Sequence, residues 1–171
     1  QYAEQKGFRY IFLNDDNIAE YLGEYRDFYY SMRYNWNRID FLRYLVLNKI
    51  GGIYIDLDIE PNFGVDLFEL SQQKLILNKW YDIKKKEWEL TNSIIGCRPG
   101  FLTELIKFSI SQYKKKEIMD VYKTRKIRFM LHTTGVRMFK KWCKINGYTY
   151  TPEITDYITD GCTATWLKDF N

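Results

Sequence analysis

Between residues 38 and 62 the chain changes its hydrophobic period. Ile39, Leu42, Leu45 and Val46 recur at helical spacing, which predicts a helix over residues 38–49. Asn37 is a suitable N-terminal cap for it and Gly51 a suitable C-terminal one. After Gly51 and Gly52 the period falls to two. Side chains of an extended strand alternate between faces. Ile53, Ile55, Leu57 and Ile59 therefore share one face, expected to be core, while Tyr54, Asp56 and Asp58 share the other. Pro61 is expected to end this strand.

The same patterns assign the rest of the chain. Residues 7–13 (GFRYIFL) read as a strand, after which Asn14, Asp15 and Asp16 offer caps for a helix over 17–28. Residues 75–77 form a short apolar strand, and the lysine-rich stretch 80–88 an exposed hairpin or loop. Residues 93–97 (SIIGC) read as a strand closed by Arg98-Pro99-Gly100. Helices are expected over 101–113 and 136–146, the second capped by Gly147, and an irregular tail over 149–171. Strands alternating with helices predict an α/β fold. At 171 residues, without repeats or a linker-like tract, the chain is expected to form one domain over 1–171.

Composition removes several function classes. Hydrophobic residues make up 46% and aromatics 18%, which is globular rather than disordered. The net charge of +4 is modest, and Lys/Arg runs such as 84–86, 114–116 and 123–128 read as solvated faces. No element recognisable as a nucleic-acid reader accompanies them, so no nucleic-acid partner is expected. Cys97, Cys143 and Cys162 show neither CxxC nor zinc spacing and read as reduced or buried thiols. His132 is the single histidine, which excludes a multi-histidine zinc site; beside Thr133-Thr134 it reads as a structural residue before a site residue. Trp80, Tyr81 and Trp88 read as the packed side of their loop before an acceptor-stacking surface. No membrane span or signal peptide is visible. The sequence starts at Gln1, which leaves open a cytoplasmic location or, with an anchor ahead of it, a Golgi lumen.

The chemistry lies on the polar face of the second strand. Two carboxylates converging at Asp56 and Asp58 repel each other and form a seat for a hard divalent cation, which can neutralise a diphosphate. Asp40 and Arg43 stand three residues apart on one helix face. They are either a surface ion pair worth a few tenths of a kcal/mol or a fork for sugar hydroxyls or phosphate oxygens. An aspartate-nucleophile phosphatase also uses D-x-D at a strand end, but Glu60 stands where its threonine or valine belongs.

Taken together, Asp40, Arg43, Gly51, Gly52, Tyr54, Asp56 and Asp58 spell D-x-x-R-(x7)-G-G-x-Y-x-D-x-D. This composite resembles the DXD-motif glycosyltransferases, the family of yeast initiating α-1,6-mannosyltransferase and bacterial capsular polysaccharide sugar transferases. Residues 91–102 (TNSIIGCRPGFL) are similar to a later segment of that family, and Thr133-Thr134-Gly135 to its T-G-P element, with Val136 in place of the proline. The resemblance implies a GT-A-like nucleotide-sugar-binding sheet flanked by helices; the strand that carries the family's base-binding loop is expected either ahead of Gln1 or to be lacking. It implies a retaining transferase moving a sugar from a UDP- or GDP-sugar to a glycan, lipid or protein acceptor. Mn²⁺ or Mg²⁺ would be the cofactor, with Asp58 as direct ligand and Asp56 bound through water or to the donor sugar. Asp40 and Arg43 would hold the transferred sugar. Gly52, Tyr54, Thr165 and Trp166 would lie around the nucleotide diphosphate, and Asp160 would replace a histidine at the metal. No enzyme nucleophile is assigned. The alternative is a glycosyltransferase-like domain that binds metal or carbohydrate without turnover.

Overall fold

A helix that is apolar on every side must be buried on every side, and the sequence FLRYLVL in the middle of the predicted helix places that element at the centre. The computed structural model describes residues 7–57, 59–61, 75–82, 85–121, 125–152 and 158–160. Short helices α1 (Ala19–Leu22) and α2 (Arg26–Ser31), joined by a 3₁₀ turn, lead into the central α3 (Asn35–Ile50). Strands β1 (Gly52–Ile55), β2 (Ile59–Pro61), β3 (Ile76–Asp82) and β4 (Glu87–Cys97) follow. Then come α4 (Thr103–Tyr113), α5 (Lys116–Val121), α6 (Lys126–Thr133), α7 (Val136–Ile145) and the short β5 (Ile158–Asp160).

The fold is mixed α/β. Its three-strand sheet has the order β1-β4-β3 and is antiparallel throughout, and β2 pairs with β5 in a separate ribbon. Phe41, Tyr44 and Leu45 of α3 meet Leu77 and Ile95 of the sheet, Leu105 of α4 and Phe139 of α7 in one buried cluster. The rings of Tyr44 and Phe139 stack with centroids 6.1 Å apart. A smaller cluster of Ile59, Ile76 and Ile94 lies apart from it, with Phe8, Ile53 and Ile55 packed against it.

The turn from α3 to β1 depends on Gly51. Its N–H caps the helix on the Leu47 carbonyl at 2.8 Å, with φ +70°. A Cβ there would sit 2.7 Å from Pro99 Cδ. The 98–100 turn is tied to the same helix end, since Gly100 N–H donates to the Asn48 carbonyl and Leu102 N–H to Asn48 Oδ1.

Several expectations are corrected. Residues 8–14 carry no ladder; a strand needs a hydrogen-bonded neighbour, and none among the described residues pairs with them. Asn37 is not a cap, because α3 begins two residues earlier and Asn37 lies buried inside it. Leu57 is 87% exposed rather than core. The strand stops at Ile55 and the chain turns, Ile59 N–H donating to the Asp56 carbonyl. Ile59–Pro61, expected as the end of one strand, forms the separate β2. Residues 80–88 do form a hairpin, closed where Asp82 faces Glu87. Trp80, Tyr81 and Trp88 lie exposed on it rather than packed under it, Tyr81 and Trp88 meeting edge to face. The helices α5 and α6 were not anticipated from the pattern.

Candidate functional site

Arg43 organises the polar end of α3. One turn of helix after Asp40, it lies beside that carboxylate with Nη2 3.0 Å from Asp40 Oδ1. Its Nη1 reaches across to β1 and β4, donating to Asp56 Oδ1 at 3.1 Å and to the Asn92 carbonyl at 2.9 Å. The guanidinium carbon lies 4.4 Å from the centre of the Tyr54 ring. Arg43 and Asp40 are each only 7% exposed, so this is not the surface ion pair that spacing alone allows.

Asp40 is held from several sides. The Asn92 amide donates to its Oδ1 at 3.2 Å, and the Thr134 hydroxyl lies 3.5 Å from its Oδ2. Burial pushes its carboxyl above the ordinary range; Arg43, Asn92 and Thr134 hold it down, while Asp56 adds to the rise. Burial works against the Arg43 charge too, but Tyr54, Asp40 and Asp56 outweigh it and Arg43 stays a cation. Tyr54 donates its hydroxyl to Asp56 Oδ1 at 2.6 Å, and burial first, against Arg43 and with Asp56, keeps it protonated.

A second layer braces this cluster. Tyr44 receives a hydrogen bond from the Asn92 amide and donates to the Thr134 carbonyl at 2.8 Å. Asn37, in the helix interior, donates to the hydroxyls of Thr133 and Thr134. Gly135 completes the wall: a Cβ there would lie 3.1 Å from Asp40 Oδ2. These contacts bring α6 and the start of α7 against the polar end of α3.

Asn92 reaches the cluster through a break in the β3–β4 ladder. Leu77 pairs with Ile95 but Lys79 with Leu90, so the single residue Asn78 of β3 opposes the four residues 91–94 of β4. The bulge so formed re-aims the strand, as bulges beside functional sites do. Asp56 N–H donates to the Ser93 carbonyl from the same segment, which fixes the end of β1.

Above this floor lies a cavity of about 170 Å³. Asp40, Arg43, Asp56 and Asn92 supply its polar side, and Trp36, Ile39, Met130, Leu131, Gly135 and Val136 the rest. It is smaller than the roughly 300–1,000 Å³ that encloses a drug-sized ligand, and its scale suits one small polyhydroxylated ring. A carboxylate and a guanidinium side by side offer acceptors and donors together, the pattern that vicinal hydroxyls require.

The expected residues divide into three groups. Asp40, Arg43, Tyr54 and Asp56 converge. Gly52 sits at the start of β1 with φ +95°. Asp58, Thr165 and Trp166 lie outside the described residues, and of Asp160 only the backbone is described, paired with Ile59 next to Asp58. Among the described residues no group of three or more His, Cys, Asp or Glu could hold a metal ion. Asp56 Oδ1 is engaged by Tyr54 and Arg43, while its Oδ2 has no partner among the described residues. That leaves one oxygen to turn outward, which fits contact through water or with a hydroxyl better than a central ligand position. His132 lies on α6 with Nε2 3.1 Å from Arg137 Nη1 and does not line the cavity. Tyr44 and Asn92 were not singled out from sequence, and Asn37 only as a helix cap. Asn92 lay within the segment 91–102 that carried the later resemblance, and Asn37 was a polar residue flanking a buried helix.

The family model described as "Glycosyltransferase sugar-binding region containing DXD motif" matches residues 2–85. Inositol phosphoceramide mannosyltransferase 1 of Schizosaccharomyces pombe is 32% identical over 63 residues, which cover 34% of this chain and 20% of that protein. Inositol phosphoceramide mannosyltransferase 3 of the same organism is 38% identical over 63 residues, 34% of this chain and 18% of that protein. The matches thus span about a fifth of the length of these relatives. No solved structure matches.

Proposed function

We propose that this chain, whose residues 2–85 match the glycosyltransferases with a DXD-containing sugar-binding region, transfers a sugar from a nucleotide diphosphate sugar to an acceptor hydroxyl. The observation that carries the reading is the Asp40–Arg43–Asp56 cluster on the floor of a cavity the size of one sugar ring.

Asp40 accepts from hydroxyls of the transferred sugar and Arg43 donates to them. Asn92, Thr134 and Gly135 keep the Asp40 carboxylate in place, so the ring meets a preorganised surface. Asp56 turns its free oxygen to the donor or to metal-bound water. Asp58 and Asp160 are the residues that would hold Mn²⁺ or Mg²⁺, and the ion supplies charge neutralisation for the departing diphosphate. The sheet and helices would form a GT-A-like domain, and the transfer would proceed with retention. An aspartyl nucleophile at Asp56 is disfavoured, because Glu60 stands where that class of phosphatase has its threonine or valine.

Both relatives are named mannosyltransferases acting on inositol phosphoceramide, so GDP-mannose is the first donor to test, followed by UDP-glucose, UDP-galactose and UDP-N-acetylglucosamine. Donor hydrolysis is measured with Mn²⁺ present and with it chelated. Metal-dependent release from one donor, lost in Asp58→Ala and in Asp40→Asn, is the expected result. Full activity in Asp58→Ala refutes the reading; Mn²⁺ binding with no hydrolysis of any donor replaces it with a binding domain.

A further inference from the structure

The basic residues of this chain are not spread evenly. Residues 125–148 contain seven Lys and Arg and no Asp or Glu. Removing those seven from the total of 26 leaves 19 Lys and Arg against 22 Asp and Glu elsewhere, so the net positive charge resides on this segment.

The fold places these cations on one outer face. On α7, Met138, Phe139, Trp142 and Cys143 turn inward, and Arg137, Lys141 and Lys144 stand at i, i+4 and i+7 on the solvent side. On α6, Phe129, Met130 and Thr133 turn inward and Arg128 is exposed. His132 of α6 lies within hydrogen-bond reach of Arg137 on α7. After burial, the charges of Arg137, Arg128 and Lys141 all depress its imidazole, so their fields meet on one patch. No carboxylate among the described residues pairs with any of these four cations; Lys140, which turns aside to Glu89 of β4, is the member of the segment that has one.

This arrangement works against the helices that carry it. Like charges one turn apart repel, and Arg125, Lys126 and Arg137 lie at helix N-termini, where the dipole disfavours cations. A face built for solubility alone mixes signs. The face is also bordered by exposed apolar groups. Ile145 is 64% exposed next to Lys144. Across the Lys140–Glu89 contact, Tyr81 and Trp88 face each other on the hairpin with ring centroids 5.3 Å apart, both exposed. Cations beside exposed Trp, Tyr and Ile are the composition of a surface that sits at lipid headgroups.

We propose that the outer face of α6 and α7, flanked by Ile145 and the Tyr81–Trp88 end of the β3–β4 hairpin, docks on an anionic phospholipid surface. Lys and Arg meet lipid phosphates, and the aromatic rings and Ile145 enter the interfacial layer. Since α6, α7 and the turn between them also supply Met130, Leu131, Gly135 and Val136 to the cavity wall, docking brings the cavity close to the bilayer. The proposal does not depend on the transferase reading, and its test does not read activity.

The test is cosedimentation of the whole chain with vesicles of phosphatidylcholine alone and of phosphatidylcholine mixed with phosphatidylserine, at low and high salt. Binding confined to the anionic vesicles and weakened by salt is expected. Each cation removed should weaken partitioning about fivefold, so Arg137→Ser/Lys141→Ser/Lys144→Ser should lose roughly a hundredfold. Should that variant melt early, Lys144→Ser alone should still show the fivefold loss. Tryptophan emission should shift to the blue on binding, less so in Trp88→Ser. Absence of binding, equal binding to both vesicle types, or an undiminished triple variant overturns the proposal. So does binding to RNA without binding to vesicles, which would assign the face to a polyanion.

Discussion

Replacing Arg43 by methionine removes one cation from between two carboxylates while nearly preserving volume. Three contacts disappear, to Asp40 at 3.0 Å, Asp56 at 3.1 Å and the Asn92 carbonyl at 2.9 Å. Asp40 is left buried with Asn92 and Thr134 as its neutral partners. Breaking a buried ion pair on one side costs about 3–5 kcal/mol, and for a chain of this size each kcal/mol lowers Tm by roughly 2–4 °C. Arg43→Met should therefore melt about 6–20 °C below the parent at neutral pH. The pH dependence identifies the cause. A carboxyl whose folded pKa is raised contributes stability fully present below its unfolded value, near 3.9, and lost as pH rises through the folded value. Arg43 limits that rise in the parent, and in the variant nothing of equal strength does. The deficit should be small near pH 4 and grow toward neutrality. Adding Asp40→Leu should restore much of the loss, since an apolar pair of similar volume replaces a buried ion pair with little penalty. Thermal and urea unfolding across pH measure all three. A deficit under about 1 kcal/mol, or one that stays constant with pH, would refute the account of Arg43 as the counter-charge of Asp40.

Gly51→Ala should cost more than the ~1 kcal/mol of a left-handed alanine, because its Cβ would press on Pro99 Cδ; urea unfolding would show it. Gly135→Ala should cost about 1–3 kcal/mol as overpacking and should abolish donor hydrolysis by displacing Asp40 Oδ2; the melting curve and the hydrolysis assay read the two effects separately. Cys97 and Cys143 are buried with thiols pushed up to about 12, so both should resist alkylation in the native protein and react only after denaturation, as followed by mass spectrometry.

The helix–glycine–strand unit was legible because periodicity and glycine punctuation are local. The four converging residues Asp40, Arg43, Tyr54 and Asp56 were legible for the same reason, lying within 17 positions of one another. What sequence could not supply was tertiary. Asn37 carries a cap's chemistry, yet its amide is spent on Thr133 and Thr134, nearly a hundred residues away. Leu57 obeys the strand alternation, but the turn after Asp56 removes it from the strand. Asn92 depends on a register break between two strands, which neither strand's own pattern encodes. Residues 7–13 have strand composition without a described neighbour to pair with, and pairing is what makes a strand. The helices α5 and α6 escaped because six and eight residues are too few to display a helical apolar period.

The register break in β4 also separates two parts of one hairpin. Inside it, pairing of Leu77 with Ile95 is locked to β1; outside it, pairing of Lys79 with Leu90 runs to the Asp82–Glu87 end. A residue inserted or deleted in the outer arm alters that arm's alignment and stops at the bulge, since the inner pairs keep their own count. The outer arm can thus change length and sequence over evolutionary time while the charged centre keeps its geometry, and foreign hairpin tips grafted beyond residues 79 and 90 should leave the Arg43 cluster in place.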